Sequence, residues 1–190
     1  MKKLISILML ILIPCVSFAA KKYDMKKYGK GKVKVEEGLV VFEKEVTVDG
    51  KSKSQIHDAL LGFTNQLIAQ TNEAFDHYAK ITMDNKEEGI LVSNQAEILS
   101  FSNTKWNKDE AQMTYRIMFY YDEGKYRMRL QDFVYNYEEE RNIKAEKWIT
   151  DRVAISKDGK KLRKDTGKFR RLTIDRVHQL FDEAEKAVRK

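Results

Sequence analysis

Cysteine, proline and histidine are scarce in this sequence of 190 residues, and their scarcity excludes several kinds of chemistry. The only proline and the only cysteine are Pro14 and Cys15, in the N-terminal stretch "ILMLILIPCVSFAAKK". A chain that loses this stretch has no disulfide, no thiol nucleophile and no thiolate ligand for a metal. No other apolar run in the sequence approaches the length of a membrane-spanning helix.

The first residues have the pattern of a secretory signal peptide. Lys2 and Lys3 precede the apolar run Leu4–Ile13, which is too short for a comfortable membrane span. The string "SFA", which ends at Ala19, then places small residues at positions −3 and −1 of a cleavage site. We therefore predict a signal peptide over residues 1–19 and a protein that is exported, either to the periplasm or out of the cell.

Three alternatives to cleavage after Ala19 stay open. The cut can fall after Ala20, or the apolar run can act as a short membrane anchor, which its length disfavours. Cys15 stands at the spacing of a lipid-modified cysteine in a bacterial lipoprotein. Such signals generally have a small residue just before that cysteine, whereas this chain has Pro14, so we expect lipidation less than simple cleavage.

The segment 20–37 is rich in lysine and poor in apolar residues. Runs of like charge usually stay solvated, so the pattern predicts a flexible lead before the domain. The alternative is a basic arm for anionic lipid headgroups or other polyanions. The formal net charge of +7 is compatible with an anionic partner but does not demonstrate one.

The hydrophobic pattern predicts one domain over residues 38–190. Apolar residues alternate over Leu39–Val48, as in a strand. Ser52 with Gln55 three residues later forms a capping box, which predicts that a helix begins there. Apolar side chains at helical spacing follow this box, so we expect one face of the helix to lie against a core.

The rest of the domain is predicted as four strands and a closing helix. Between residues 79 and 137 the period is two, with turns at "DNKEEG", "SNTKWNKDE" and "DEGK". Near Asp132 the alternation changes parity, as it does at a β-bulge. Ile174–Val188 has the spacing of a helix. The β-α-β-β-β-β-α order predicts an α+β fold, with helices on one face of a curved antiparallel sheet.

Three strings in this region resemble a known family. They are "VTVDGKSKSQIHDAL", "ITMDNKEEGILV" and "TYRIMFYYDEGKYRMRLQDFVY". Together with the element order, they resemble secreted proteins of Bacteroidota-type bacteria that share a domain of unknown function with a TBP-like fold. The resemblance covers residues 39–137 and leaves 138–190 as a C-terminal extension and helix. It implies a fold and an envelope location, but no activity and no DNA binding, since fold does not fix function.

The sequence carries no recognised catalytic or metal-binding motif. It lacks G-x-S-x-G, H-E-x-x-H, a P-loop and a dinucleotide fingerprint. Neither His57 nor His77 has a second ligand four residues on, and His178 is the remaining histidine. We assign no catalytic residue, no cofactor and no metal, and we expect a protein that is not an enzyme.

The first candidate binding surface is aromatic. The tyrosines of the last two strands have both parities, which predicts that they lie on both faces of the sheet. Those that face the helices belong to the core, and the others are candidates for a platform that holds a peptide, glycan or lipid. The candidate residues are Trp106, Tyr121, Tyr126, Tyr135 and Tyr137.

The second candidate surface is basic and lies in the C-terminal extension. Its candidate residues are Lys160, Lys161, Arg163, Lys164, Arg170 and Arg171. A solvated loop is the plain interpretation of such a segment, and phosphate-rich envelope glycolipids or an anionic membrane surface are the functional one. Because the protein is predicted to be exported, we expect no nucleic acid as a partner.

Taken together, the sequence predicts an exported cell-envelope protein whose single α+β domain binds a ligand or a partner protein. The alternative is a small enzyme, similar to a hydrolase or an isomerase, with a pocket between helix and sheet. An enzyme needs titratable side chains that converge in such a pocket, so the two hypotheses differ in what lies between the layers.

Overall fold

A computed structural model describes residues 23–72, 75, 78–104 and 107–190. The predicted signal peptide, Cys15, His77 and the candidate Trp106 lie outside the described residues. None of the described helices is both long and apolar enough to cross a membrane.

The described residues form seven strands and five helices. In chain order they are α1 (Met25–Tyr28), β1 (Lys34–Glu36), β2 (Leu39–Thr47), α2 (Lys53–Asn72), β3 (Lys80–Asn85), β4 (Ile90–Thr104), β5 (Asn107–Asp122), β6 (Lys125–Tyr137), β7 (Glu140–Lys144), α3 (Ala145–Trp148), α4 (Asp151–Ala154) and α5 (Thr166–Arg189). The predicted strand, helix, four strands and closing helix are β2, α2, β3 to β6 and α5. The prediction missed α1, β1, β7, α3 and α4.

The strands form one curved antiparallel sheet in the order β1-β2-β6-β5-β4-β3, and β7 pairs with the second half of β6. The long helices α2 and α5 pack against each other and against the sheet's inner face. The core between these layers is aliphatic and aromatic, with Ile56, Leu60, Phe119, Leu130 and Val177 among its buried members. The predicted α+β fold is therefore confirmed.

Two local predictions are confirmed in detail. The Ser52 backbone N–H donates to Gln55 Oε1 over 2.8 Å, and the Gln55 N–H donates to Ser52 Oγ over 3.2 Å. These are the two reciprocal bonds of a capping box, and α2 begins at Lys53. At Asp132 the backbone has φ 59°, and the β5–β6 register shifts between Thr114 and Arg116. The change of parity is therefore a β-bulge.

The basic segment before β2 has ordered structure in its described part. Residues 25–28 form α1 and residues 34–36 form β1, which pairs with β2. The Tyr28 hydroxyl donates to Asp175 of α5 over 2.7 Å, and Val33 is buried. Residues 23–37 thus have secondary structure and contacts with the domain, where the sequence predicts a flexible lead.

Candidate functional site

Three of the aromatic candidates are core residues. Tyr121, Tyr126 and Tyr135 are 4%, 2% and 0% exposed. For Tyr135 the bulge at Asp132 explains the burial, because its extra residue returns the following side chains to the inner face that Tyr126 already occupies. The expectation that the two parities lie on opposite faces is therefore wrong, and these tyrosines form no exposed platform.

The buried tyrosines differ in how their hydroxyls are satisfied. The Tyr135 hydroxyl lies 2.8 Å from Thr173 Oγ1 of α5, whereas those of Tyr121 and Tyr126 have no partner among the described residues. Burial raises the pKa of Tyr121 to about 12, with the nearby Asp84 and Asp58 acting in the same direction. Burial also raises the pKa of Tyr126 and of Tyr135. All three side chains are therefore neutral at physiological pH.

Tyr121 and Tyr126 line part of a cavity of about 350 Å³, whereas the half-buried Tyr137 lines a larger one. The larger cavity has a volume of about 810 Å³ and lies where the β6–β7 turn meets the start of α5. Its lining consists of Tyr137, Glu138, Glu139, Glu140, Trp148, Asp165, Thr166, Lys168 and Phe169. Aromatic rings and carboxylates therefore face the same space, which we name the acidic aromatic cavity.

Packed rings hold the wall of the acidic aromatic cavity in place. The Trp148 and Phe169 ring centroids are 4.3 Å apart, and Tyr137 meets Phe169 edge to face at 5.2 Å. Trp148 also stacks on the buried Tyr135 at 5.8 Å. Such contacts fix the ring planes, so the wall does not have to form when a ligand arrives.

Lys168 fills the space behind these rings. Its ammonium group is 4.3 Å from the ring centroids of both Phe101 and Tyr137. It donates to both carboxylate oxygens of Asp109 and, over 2.7 Å, to the Tyr137 hydroxyl. Burial alone would lower the pKa of Lys168, but the bonds to Tyr137 and Asp109 outweigh it and raise the pKa. Lys168 is thus a charged, fully engaged part of the wall.

Arg170, a candidate of the basic surface, is a structural residue. Its side chain is 0% exposed. It donates to the carbonyl oxygens of Tyr28, Gly29 and Ile149 over 2.5–2.7 Å, and to Asp151 Oδ1 over 2.8 Å. The assignment of Arg170 to a binding surface is therefore wrong. Its guanidinium ties the N-terminal segment to α3, α4 and α5.

Arg171 also contacts the N-terminal segment and is half-buried. Its guanidinium carbon lies 5.5 Å from the Tyr23 ring centroid, and Nη1 is 3.6 Å from Asp175. Asp175 also binds Lys27 and the Tyr28 hydroxyl. Arg171 is thus shared between α1 and α5 and is not presented freely to solvent.

The other four basic candidates are exposed and lie together. Lys160 and Lys161 stand in a hairpin in which the Ser156 N–H donates to the Lys161 carbonyl over 2.9 Å, and Arg163 and Lys164 follow it. A second cavity, of about 490 Å³, lies beside this hairpin and is lined in part by Lys30, Arg152, Lys157 and Arg163. The Arg170 bonds therefore bring a lysine of the N-terminal segment to the C-terminal basic segment.

We name the exposed cations around this cavity the basic end. They are Lys30, Arg152, Lys157, Lys160, Lys161, Arg163 and Lys164. Among the described residues, no carboxylate lies within ion-pair distance of any of them. Asp158 is in the same hairpin, where hydrogen bonds from Ser156 and from the Lys160 N–H lower its pKa. Asp151, which also lines the cavity, is paired with Arg170.

His57 is the histidine with the most connected surroundings. It is 5% exposed, with Nδ1 2.8 Å from Asp58 and Nε2 3.0 Å from Asp84 of β3. The hydrogen bond with His57, assisted by Lys86, lowers the pKa of Asp58. Both ring nitrogens are therefore occupied by carboxylates, and the contact with Asp84 joins α2 to β3. In the described part of the chain, no three metal-binding side chains are grouped to hold an ion.

Sequence reasoning missed most of the wall of the acidic aromatic cavity. Trp148 and Phe169 were not assigned to a site, and Lys168 was noted only as part of the basic segment, because each is separated in sequence from Tyr137 and the pattern after Glu138 is weak. The string "EEE" beside Tyr137 was the available signal, but adjacent acids usually indicate only a solvated turn. The convergence depends on α3 and α5 folding back onto the end of β6.

The fold and these surfaces define a class of protein: an α+β domain with a packed core, a curved antiparallel sheet and exposed sites at one end. Residues 42–136, half of the chain, match the family model described as "Domain of unknown function (DUF4468) with TBP-like fold". The chain belongs to this family.

Solved structures agree with this membership. A crystal structure of a DUF4468 family protein from Bacteroides ovatus is 29% identical, with a TM-score of 0.81, and the match covers 88% of this chain and 96% of that chain. A TBP-like protein from Parabacteroides distasonis is 20% identical, with a TM-score of 0.66 over 83% and 97% of the two chains, and supports the fold alone. Among curated proteins, none matches the chain.

Proposed function

We propose that this protein is exported to the cell envelope and acts there as a binding domain, without catalysis. We further propose that its basic end binds the phosphate-bearing headgroups of an anionic membrane surface. The observation that supports this most is the meeting of two basic segments, since Lys30 shares a cavity with Arg152, Lys157 and Arg163.

The electrostatics of the basic end suit a phosphate surface. Seven cations without carboxylate partners face solvent close together. Of the acids beside them, Asp151 and Asp158 already accept hydrogen bonds within the protein, whereas the exposed Asp165, next to Lys164, makes no capping bond. Each Lys or Arg close to an anionic surface contributes about 1 kcal/mol of attraction. The positive charge is therefore available to lipids rather than used within the fold.

Vesicle binding by the chain that begins at Ala20 tests this proposal. Vesicles with about 30% anionic phospholipid should bind it, neutral vesicles should not, and binding should weaken between about 0.15 and 0.5 M salt. The double variant Lys157→Gln/Lys161→Gln should bind about 30-fold more weakly, because two cations are lost. The matched control is Lys80→Gln/Lys125→Gln, which removes the same charge from exposed positions in β3 and β6.

Three results would overturn the lipid assignment. They are equal binding to neutral vesicles, an equal loss in the two double variants, and tighter binding to a nucleic-acid duplex than to anionic vesicles at the same salt.

Export is tested separately by the mass of the protein isolated from its own cells. A mass that begins at Ala20 or Lys21 supports a cleaved signal peptide, and a diacyl or triacyl mass on Cys15 would make the protein a lipoprotein. A mass that retains residues 1–19 would contradict export.

The enzyme alternative has less support from the geometry. The space between the helices and the inner face of the sheet holds packed rings and aliphatic side chains, among them Phe63, Phe119 and Leu130. His57 lies between α2 and β3, but its two nitrogens already face Asp58 and Asp84. A general base needs a nitrogen that can reach the substrate proton, so His57 is better described as a brace between helix and sheet.

A further inference from the structure

We propose that the acidic aromatic cavity binds the basic side chains of a peptide segment of a partner protein. This is a second site, distinct from the basic end, and it does not depend on lipid binding. The cavity of about 810 Å³ is larger than the one at the basic end and has room for more than one side chain.

The wall of this cavity presents π-systems in fixed positions. Trp148 is half-buried, and its ring is held by Tyr135 on one side and by Phe169 at 4.3 Å. Tyr137, also half-buried, is fixed edge to face against Trp148 at 6.2 Å. An ammonium or guanidinium group over such rings gains about 0.5–2 kcal/mol, and most over tryptophan.

Lys168 shows that rings of this cluster accept a cation. Its ammonium group sits 4.3 Å from the centroids of Phe101 and Tyr137 and 5.6 Å from that of Phe169. Its three donor contacts go to Asp109 and Tyr137, so the charge is balanced within the wall. The Trp148 side of the cluster makes no comparable cation contact within the described residues.

The charges at the rim of the cavity favour a positively charged ligand. Four carboxylates line it, against the single ammonium of Lys168. They come from Glu138 and Glu139 on the β6–β7 turn, Glu140 at the start of β7 and Asp165 at the N-cap of α5. Among the described residues, none of the four carboxylates forms an ion pair. Asp165 stands at the N-cap of α5, yet its side chain makes no capping bond. The carboxylates of Glu139, Glu140 and Asp165 are therefore available to an incoming cation, whereas that of Glu138 also hydrogen-bonds with the Tyr137 hydroxyl.

The spread of the carboxylates favours a peptide over a single small amine. Glu138 and Glu139 stand on the turn after β6 and Glu140 begins β7, while Asp165 stands at the N-cap of α5, so negative charge borders the cavity from two parts of the fold. Two basic side chains on one backbone can pair with carboxylates on both parts at once, which favours a peptide over a single amine. A segment with lysine or arginine at alternate positions fits this arrangement.

Binding of a capped Lys-Gly-Arg tripeptide tests the proposal. The protein carries Trp106→Phe, so that Trp148 is its only fluorophore of this kind, and the peptide should change its fluorescence saturably. The double variant Glu139→Gln/Glu140→Gln should weaken binding about fivefold, because two exposed carboxylates contribute modestly each. Calorimetry should show this fivefold loss of affinity in the double variant and an at least tenfold loss in Trp148→Leu. Native circular dichroism of both variants shows that they are folded.

The matched control is Glu87→Gln/Glu88→Gln, which removes two exposed carboxylates from the distant β3–β4 turn and should leave binding unchanged. A capped Gln-Gly-Gln tripeptide should not bind. The proposal is overturned by no saturable binding up to about 10 mM peptide, which is weaker than a specific contact. It is also overturned by equal loss in both double variants, or by a neutral trisaccharide that binds at Trp148 when the basic peptide does not.

Discussion

The region that matches the family model forms the core and most of the sheet, whereas the segments on either side of it form the two candidate binding sites. Residues 42–136 supply α2, most of the sheet and the aromatic core. The basic end comes entirely from the flanks, through Lys30 and residues 152–164, and the acidic aromatic cavity comes from residues 137–169. The flanks are nevertheless part of the fold, since the match to the Bacteroides ovatus structure covers 88% of the chain. The family region thus supports the fold, and the flanks form the basic end and the acidic aromatic cavity.

Arg170→Met should break the attachment of the N-terminal flank and has the largest expected effect. It removes the Arg170 donors from the carbonyl oxygens of Tyr28 and Ile149, leaves the Gly29 carbonyl with only the Lys32 N–H, and takes the cation from Asp151. We expect a loss of about 3 kcal/mol in the free energy of unfolding, measured in urea, because buried acceptors become unsatisfied. Proteolysis should then cut near residues 23–37. Arg152→Met, at an exposed position, is the control. An equal loss there would contradict the role of Arg170 in attaching the N-terminal segment.

A pair of tyrosine variants sharpens the comparison within the core. Tyr135→Phe removes the bond to Thr173 of α5 and should cost about 1 kcal/mol of unfolding free energy. Tyr126→Phe removes a buried hydroxyl that has no partner among the described residues, so it should be neutral or stabilising. Chemical denaturation measures both. A larger loss in Tyr126→Phe than in Tyr135→Phe would show that the hydroxyl contacts are misassigned.

Substitution of Asp58, beside the contact between α2 and β3, should give the smallest effect. It should appear in the pH dependence of the unfolding free energy. The hydrogen bond with His57 and the contact with Lys86 lower the pKa of Asp58 below 3.8 in the folded protein. The stabilisation from this carboxylate is therefore full above pH 3.8 and is lost as the pH falls through the lower folded value. Asp58→Asn should flatten the decrease in unfolding free energy as the pH falls from 3.8 through the lower folded pKa. An unchanged slope would rule out this contribution.

The features that were predicted correctly from the sequence are those whose signals lie in neighbouring residues. The capping box at Ser52 and Gln55 and the bulge at Asp132 depend on neighbouring residues, and both are confirmed. The five-residue β7 escaped prediction because Ile143 is its single apolar side chain, too few for a periodic pattern. The burial of Arg170 was hidden because arginine is almost never fully buried unless paired, and its partners lie far away in sequence.

The same reasoning explains the outcome for the candidate surfaces. Tyr121, Tyr126 and Tyr135 were proposed as candidates for an exposed surface, but they are buried. A bulge is easier to predict from the sequence than the face of the sheet to which the side chains after it point. The exposed lysines 160, 161 and 164 were placed correctly at the surface. Their meeting with Lys30 required knowledge of the Arg170 bonds, which join segments about 140 residues apart in sequence.

The bulge at Asp132 also makes this position matter when related chains are aligned. Deleting this one residue would remove the bulge and restore regular alternation, so that Phe133 and Tyr135 stay on the inner face with Leu130. Deleting a residue further along β6 while the bulge is kept would instead turn every following side chain to the opposite face. A relative with a gap there must compensate elsewhere in β6, either with a second bulge or with the opposite order of apolar and polar residues up to the next turn. An alignment scored by residue likeness alone would miss that difference, whereas one that follows the alternation of the strand would detect it.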